Sequence, residues 1–344
     1  MTQLCNMFLG PLFQVAYLLV LCVYMFGTLW AYGTVFANAF AQNFPIFGSY
    51  SYFLFLIMFG CFVIPLSCLD LKEQVTVQMI LAGGRVMMVV LMVSTVAVSF
   101  LWGSADDFGA DALEGKEDII SFQSSGLHHL LPIATFANIF HHSIPALAEP
   151  VERKSKLAYI FGTTLVCCFF AYSAIALSVS LYFGSNTLSS SNLNWVDYGN
   201  NCSGLSHAVR RFIAVYVVMF PAFDVASAFP LNAVTMGNNL FSVVYGKNVH
   251  NMEDSKKHKI SFRLLAAIPP LIMAALESSL GKITDYTGIS GFALAFIFPP
   301  LLAYYSHTTL ADNGMPVNTI YSGVYSSQYS GALIMIFGVC LLIY

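Results

Sequence analysis

The sequence predicts an all-α polytopic membrane protein, and its composition and long apolar runs carry that prediction. Hydrophobic residues make up 58% of the 344 residues, whereas charged residues make up only 9%. A soluble globular domain carries roughly 25% charged residues, so most of this chain lacks a water-facing surface. The 30 phenylalanines and 18 tyrosines fit lipid-facing and interfacial positions. The polar linkers are short, which indicates a single transmembrane domain over residues 1–344.

About nine apolar runs are long enough to cross a bilayer, since a membrane helix needs ~17–25 mostly apolar residues. In chain order they are residues 12–36, 50–69, 77–102, 127–147, 157–183, 212–233, 261–280, 288–305 and 329–344. Prolines and polar residues within the fourth and the sixth run predict that these two helices are interrupted.

Basic residues in the short loops predict the orientation, because cytosolic loops carry an excess of lysine and arginine. One side collects Lys72, Arg153, Lys154, Lys156, Lys247, Lys256, Lys257 and Lys259. The other side collects Lys116, Arg210, Arg211, Lys282 and the acidic loop 106–118. The first side is therefore expected to be cytosolic, together with the N-terminus. The sequon that begins at Asn201 then lies on the opposite side, which predicts glycosylation of Asn201.

The segment 127–156 reads LHHLLPIATFANIFHHSIPALAEPVERKSK and has a short apolar part. It is broken by Pro132, Asn138, His141, His142, Ser143 and Pro145. Discontinuous helices near mid-membrane bind solutes in transporters, because exposed N–H groups suit a carboxylate and free carbonyls suit a cation or an ammonium group. This segment therefore predicts a broken helix that lines a cavity. The alternative is that its polar residues bond between packed helices.

His141 and His142 are the residues of this segment that titrate near neutral pH. They are candidates for proton coupling or for substrate recognition, and the alternative is hydrogen bonding between helices. Metal binding is disfavoured, since no cysteine or carboxylate recurs nearby at ligand spacing. No cofactor is expected.

Residues 210–245 carry Asp224 between Pro221 and Pro230. A carboxylate in hydrocarbon costs ~2.5 kcal/mol or more on insertion scales, so it normally faces a cavity or a partner. Asp224 and Ser227 share a helix face at the i, i+3 spacing, where hard oxygen ligands suit a coupling cation. The alternative is an ion pair with a cation on another helix, for which Arg85 is a candidate unless it reaches the cytosolic surface.

Several stretches, in their order and spacing, resemble the amino acid/auxin permease family. They are YMFGTLWAYGTVFANAF, IPLSCLDLKE, FANIFHHSIPALAEPVERKSK, FPAFDVASAFPLNAVTMGNNL and GISGFALAFIFPPLLAYY. The resemblance implies the inverted-repeat (LeuT-like) fold of the amino acid–polyamine–cation superfamily, in which broken first and sixth helices hold the substrate. The order matches the family's third to eleventh helices, so the implied fold lacks its first two helices.

The resemblance also implies which residues meet the solute. The run 127–147 corresponds to the sixth helix and would bring Phe136, Asn138, His141 and Ser143 to the pocket, with Asp224 as a further candidate. Family substrates are neutral amino acids, with Na⁺ or H⁺ as coupling ion. The candidate residues for that ion are Asp224, Ser227 and His142.

The function that these features favour is secondary transport of amino acids or similar small zwitterions across a lipid bilayer. A non-transporting membrane sensor or scaffold with the same fold is the alternative. An enzyme is disfavoured, because the chain lacks a Gly-x-Ser-x-Gly elbow, a His-Glu-x-x-His pair and paired aspartates within its spans. No basic patch indicates nucleic acid. The sequence names no protein partner, and it fits a plasma membrane or an endolysosomal membrane equally.

Overall fold

The structure is a computed structural model. It describes residues 2–68, 75–102, 108, 126–140, 144, 148, 151–188, 190–200, 204–245, 256–317, 322 and 327–343. Across these residues the regular structure is helical, without strands. The helices are α1 (Thr2–Leu9), α2 (Pro11–Asn43), α3 (Ser51–Cys68), α4 (Val75–Trp102), α5 (Leu127–Asn138), α6 (Leu157–Phe183), α7 (Gly204–Tyr245), α8 (Lys256–Leu276), α9 (Leu280–Phe292), α10 (Phe298–Asp312) and α11 (Gln328–Ile343). A π-helical turn, Ala293–Ile297, joins α9 to α10.

The predicted membrane class is confirmed. Within the described residues, seven stretches are helical, long enough and apolar enough to cross a bilayer. They correspond to α2, α3, α4, α6, α7, α8 and the continuous α9–α10 unit, which spans Leu280–Asp312. The two other predicted spans correspond to shorter helices, α5 with 12 residues and α11 with 16.

The interruption predicted for residues 127–147 is confirmed. Helix α5 ends at Asn138, and Ile139 is extended, with φ −77° and ψ 113°. Pro132 lies within α5 without ending it, so the break comes two turns later than this proline. His141, His142, Ser143 and Pro145 lie outside the described residues.

The interruption predicted for residues 212–233 is wrong, because α7 is one continuous α-helix of 42 residues. Pro221 has no N–H group and therefore removes one intrahelical bond. The side-chain amide of Asn192 donates to the neighbouring carbonyl of Val218 at 3.2 Å. One helical turn on, the hydroxyl of Ser227 donates to the carbonyl of Asp224 at 2.9 Å. Both bonds lie near the proline and not at the carbonyl of Val217, which Pro221 leaves without its intrahelical donor, and the helix continues without a break.

Two buried clusters hold the helices together, and α7 belongs to both. In the larger cluster α2 packs against α3, α7, α8 and α9. In the smaller cluster α4, α6 and α7 surround Trp195, whose side chain is fully buried. Ala214 and Val218 of α7 face the smaller cluster, whereas Ala222 and later residues face the larger one. Asp224 therefore lies close to the boundary between the two clusters.

Helix α5 packs against α9 through glycine. A Cβ atom on Gly288 would lie 2.5 Å from the backbone oxygen of Pro132, so no larger residue fits without moving α5. One turn later a Cβ atom on Gly291 would lie 2.5 Å from the Cδ1 atom of Ile139, the residue at the break. Close approach between glycine and a neighbouring helix is a common packing device in membranes. Here it seats the broken end of α5 against α9.

Candidate functional site

A cavity of about 320 Å³ opens beside the broken end of α5. Small-molecule sites usually measure ~300–1,000 Å³, so this volume suits a small solute. One wall consists of residues 137–140, which include Asn138 and Ile139. The facing wall comes from α6 and includes Phe161, Leu165 and Tyr172. The wall is mostly apolar.

The end of α5 is anchored to α2. The hydroxyl of Tyr24 donates to the carbonyl of Phe136 at 3.3 Å, and the two rings lie 5.6 Å apart. The side-chain amide of Asn138 donates to the carbonyl of Ala134 at 2.8 Å, which turns it back onto its own helix. The last carbonyls of a helix lack intrahelical donors and carry the negative end of its dipole. The cavity therefore has a partly negative end.

Arg85 of α4 and Asp224 of α7 form a bidentate ion pair. The Nε atom of Arg85 lies 3.2 and 3.0 Å from the two carboxylate oxygens, and its Nη2 atom lies 2.8 Å from Oδ1. The Arg85 side chain is 45% exposed and that of Asp224 is 21% exposed. Such forked contacts are among the stronger charge-assisted hydrogen bonds. The ion pair named as an alternative for Asp224 is therefore the arrangement that the structure shows.

Two tyrosines lie within electrostatic range of this ion pair. Tyr172 lines the cavity and lies close enough to Arg85 to interact with its charge. On the other side, Tyr32 of α2 interacts with the charges of both Arg85 and Asp224. Its hydroxyl accepts a bond from the amide of Asn232 at 3.4 Å. Arg85 and Asp224 are not among the described residues that line the cavity.

The structure places the predicted site residues in two groups. Asn138 lines the cavity, and Phe136 lies just before it with its carbonyl bonded to Tyr24. Asp224 and Ser227 lie in the second group, where the hydroxyl of Ser227 is used by the α7 backbone. The remaining predicted residues, His141, His142, Ser143 and Asn201, lie outside the described part of the chain.

Sequence reasoning did not single out Tyr24, Tyr32 and Tyr172 as site residues. Tyr24 and Tyr32 are eight residues apart, a spacing that puts both on one face of a helix. This spacing is a signal that points toward a shared polar face of α2. Tyr172 carries no comparable signal, since its position at the cavity depends on how α6 lies beside the end of α5.

The chain is similar to known membrane proteins along its length. The family model described as "Transmembrane amino acid transporter protein" matches residues 2–343. The transmembrane protein 104 homolog of Dictyostelium discoideum is 23% identical over 358 residues, which covers 99% of this chain and 69% of that protein. Human transmembrane protein 104 is 22% identical over 259 residues, which covers 74% of this chain and 48% of that protein.

The homolog of Drosophila melanogaster is 26% identical over 196 residues, which covers 56% of this chain and 38% of that protein. The chain thus spans about half of the human relative and less of the fly relative. No solved structure is significantly similar to the chain. The stretches SIPALAEPVERKS and FPAFDVASAFPLNAVTMGNN resemble the transmembrane protein 104 branch, and these relatives confirm that resemblance. The chain is a multi-pass integral membrane protein that belongs to the transmembrane amino acid transporter protein family.

Proposed function

We propose that this chain is a secondary active transporter of amino acids or similar small zwitterionic solutes. The observation that carries the proposal is the end of α5 at Asn138, which opens onto a cavity of about 320 Å³. Non-helical backbone inside a membrane is tolerated where it is buried in protein or lines a cavity, and broken helices form the binding sites of many transporters. Membership in the family supports amino acid-like solutes as the class of cargo.

The chemistry of the cavity suits one end of a zwitterion. The terminal carbonyls of α5 attract an ammonium group, because they carry the negative end of the helix dipole. The aliphatic and aromatic wall from α6, which includes Phe161 and Leu165, suits an apolar side chain. The inverted-repeat fold is part of the proposal, with α5 as its broken helix and with α2 and α7 packed against each other nearby.

Coupling to Na⁺ or H⁺ is also part of the proposal. The Asp224 carboxylate is neutralised by Arg85 in this structure. If that pair opens during transport, the carboxylate loses its countercharge in a membrane environment, where an isolated charge is costly. A sodium ion or a proton then restores neutrality. Ser227 lies one turn from Asp224 on the same helix, and its hydroxyl oxygen is the neighbouring ligand for such a cation.

Flux measurements test this function directly. The chain is reconstituted into liposomes, and uptake of a panel of labelled amino acids is followed under an inward Na⁺ gradient and, separately, an inward H⁺ gradient. We expect uptake of at least one neutral amino acid that depends on one of the two gradients. Ligand binding without flux would instead establish a membrane sensor, and neither binding nor flux across the panel would refute the proposed site.

A matched pair of variants on α6 links flux to the cavity. Leu165→Trp places a bulky ring in the cavity, and we expect it to abolish uptake. Leu177→Trp changes an exposed residue of the same helix that does not line the cavity, and we expect normal uptake. Equal uptake by the two variants would show that the solute does not pass through this cavity.

A further inference from the structure

The wall of the cavity beside α5 carries no charged side chain. Among the described residues that line it, none is acidic, basic or a histidine. A charged side chain of a solute would therefore enter a membrane cavity without a countercharge, which is costly. The α-amino and α-carboxylate groups are the same in every amino acid, so they do not discriminate between solutes. The cavity therefore disfavours amino acids whose side chains carry a carboxylate, an ammonium or a guanidinium group.

Two polar side chains in the wall are turned back to their own helices. The amide of Asn138 donates to the carbonyl of Ala134 at 2.8 Å, within α5. The hydroxyl of Thr164 donates to the carbonyl of Ile160 at 2.8 Å, within α6. A buried polar group that finds no partner weakens an interaction. The wall therefore favours an apolar side chain over an amide of similar size.

Aromatic and branched side chains meet where α5 ends beside α6. The rings of Phe140 and Phe161 lie 5.7 Å apart, with an angle of 39° between their planes. Leu165 follows Phe161 at the i, i+4 spacing, so the two side chains share one face of α6. Both line the cavity. An aromatic ring that packs beside another ring gains more than its buried area alone provides.

We propose that the cavity selects amino acids with large apolar side chains, the aromatic ones foremost, and that Phe161 and Leu165 set this preference. The α-amino group lies at the end of α5, and the side chain lies on the face of α6 formed by these two residues. A phenylalanine side chain is about as long as one helical turn, ~5.4 Å, so it spans the distance between them along the helix. Glycine and alanine leave that face uncovered. This inference rests on the proposed function and names the substrate class of the same site.

Binding to the purified chain in nanodiscs tests the inference, with calorimetry as the readout. The probes are phenylalanine, leucine, alanine, glutamine and glutamate. We expect phenylalanine and leucine to bind at least about tenfold more tightly than alanine, since each buried methylene group strengthens binding by about fourfold. Glutamine and glutamate are expected to bind more weakly than leucine. Equal affinities for leucine, alanine and glutamine would refute the inference.

The variant Leu165→Gln places an amide of similar size in the wall. Leu165 is 40% exposed, so the fold should tolerate the change. We expect the preference for leucine over glutamine to fall by about tenfold, because an apolar contact is lost and a hydrogen-bonding partner for the amide is gained. Leu177→Gln is the matched control, since Leu177 is an exposed residue of α6 outside the described lining. It should keep the wild-type preference.

The variant Phe161→Leu keeps the wall apolar but removes its ring. We expect the preference for phenylalanine over leucine to fall by about threefold or more, as loss of an aromatic pair predicts. If the wild-type preferences survive both Leu165→Gln and Phe161→Leu, these residues do not contact the side chain of the solute and the inference fails.

Two further outcomes separate this inference from the proposed function. Equal uptake of alanine, glutamine and phenylalanine would refute the selectivity and leave transport intact. Selective binding of phenylalanine and leucine that depends on Leu165, without flux of any solute, would support the inference and refute transport.

Discussion

The hydroxyl of Tyr24 on α2 donates to the carbonyl of Phe136 in the last turn of α5, across 3.3 Å. This bond joins a long helix of the central cluster to a short helix that ends beside the cavity. A carbonyl at the end of a helix has no donor from its own backbone. Tyr24 therefore stabilises the last turn of α5, where this helix ends.

Tyr24→Phe removes this bond and keeps the ring contact. We expect a loss of about 1 kcal/mol in the free energy of unfolding, the usual contribution of such a bond in or out of a membrane. Denaturant unfolding in detergent micelles measures it. Tyr17→Phe is the matched control on α2, because Tyr17 meets Phe298 edge-on at 5.1 Å and has no hydrogen-bond partner within the described residues. Equal effects of the two substitutions would contradict the role given to Tyr24.

Gly288→Ala is expected to displace α5 from α9. The added Cβ atom would lie 2.5 Å from the backbone oxygen of Pro132, which cannot turn away as a side chain does. Overpacking of this kind costs about 1–3 kcal/mol. Gly281→Ala is the control on the same helix, since nothing lies within 4 Å of its added Cβ atom. Thermal unfolding of the two variants compares them, and an equal melting temperature would show that α5 shifts freely.

Thr95→Val should destabilise the smaller cluster through Trp195. The Nε1–H group of this fully buried indole donates to the Thr95 hydroxyl at 3.0 Å. Valine keeps the shape of threonine but leaves the N–H group without its acceptor, at a cost of about 1–3 kcal/mol. A double-mutant cycle with Trp195→Phe isolates the pair, because the two effects should not add. Additive effects in chemical unfolding would show that the bond contributes nothing.

Acid is expected to weaken the turn between α8 and α9. The backbone N–H of Ser279 donates to the Glu277 carboxylate at 2.9 Å, and the Lys282 ammonium lies 3.1 Å from it. These contacts, the first above all, hold the pKa of Glu277 below its usual value. A carboxylate with a lowered folded-state pKa adds stability above its unfolded pKa of ~4.3 and loses it as the pH falls through the folded value.

The melting temperature of the wild type should therefore fall as the pH drops below ~4.3, and more steeply than that of Glu277→Gln. Lys282→Met is the intermediate case, because it removes the ammonium and keeps the bond from Ser279. A pH profile of Glu277→Gln that is parallel to that of the wild type would show that this carboxylate is not linked to stability.

The break in α5 could be predicted from the sequence, although its position could not. Two prolines and a run of polar residues within a short apolar segment weaken a helix whatever surrounds them. Pro132 alone did not end the helix, and the chain leaves it after Asn138. Ile139 packs against Gly291 of α9, and that contact is set by a residue far away in the sequence.

The sequence by itself determined that the chain is a multi-pass membrane protein and that the segment beginning near residue 127 is interrupted. These properties follow from the free energies of transferring side chains from water to the bilayer and from the effect of proline on a helix. Both depend on the residues of a segment and not on its neighbours in the fold. Only the tertiary structure decided that α7 continues through Pro221 and that Asp224 pairs with Arg85. The reason is that a lone carboxylate can be paired by any suitable neighbour, which the local sequence does not specify. Helix packing selects that neighbour: α4 brings Arg85 to Asp224.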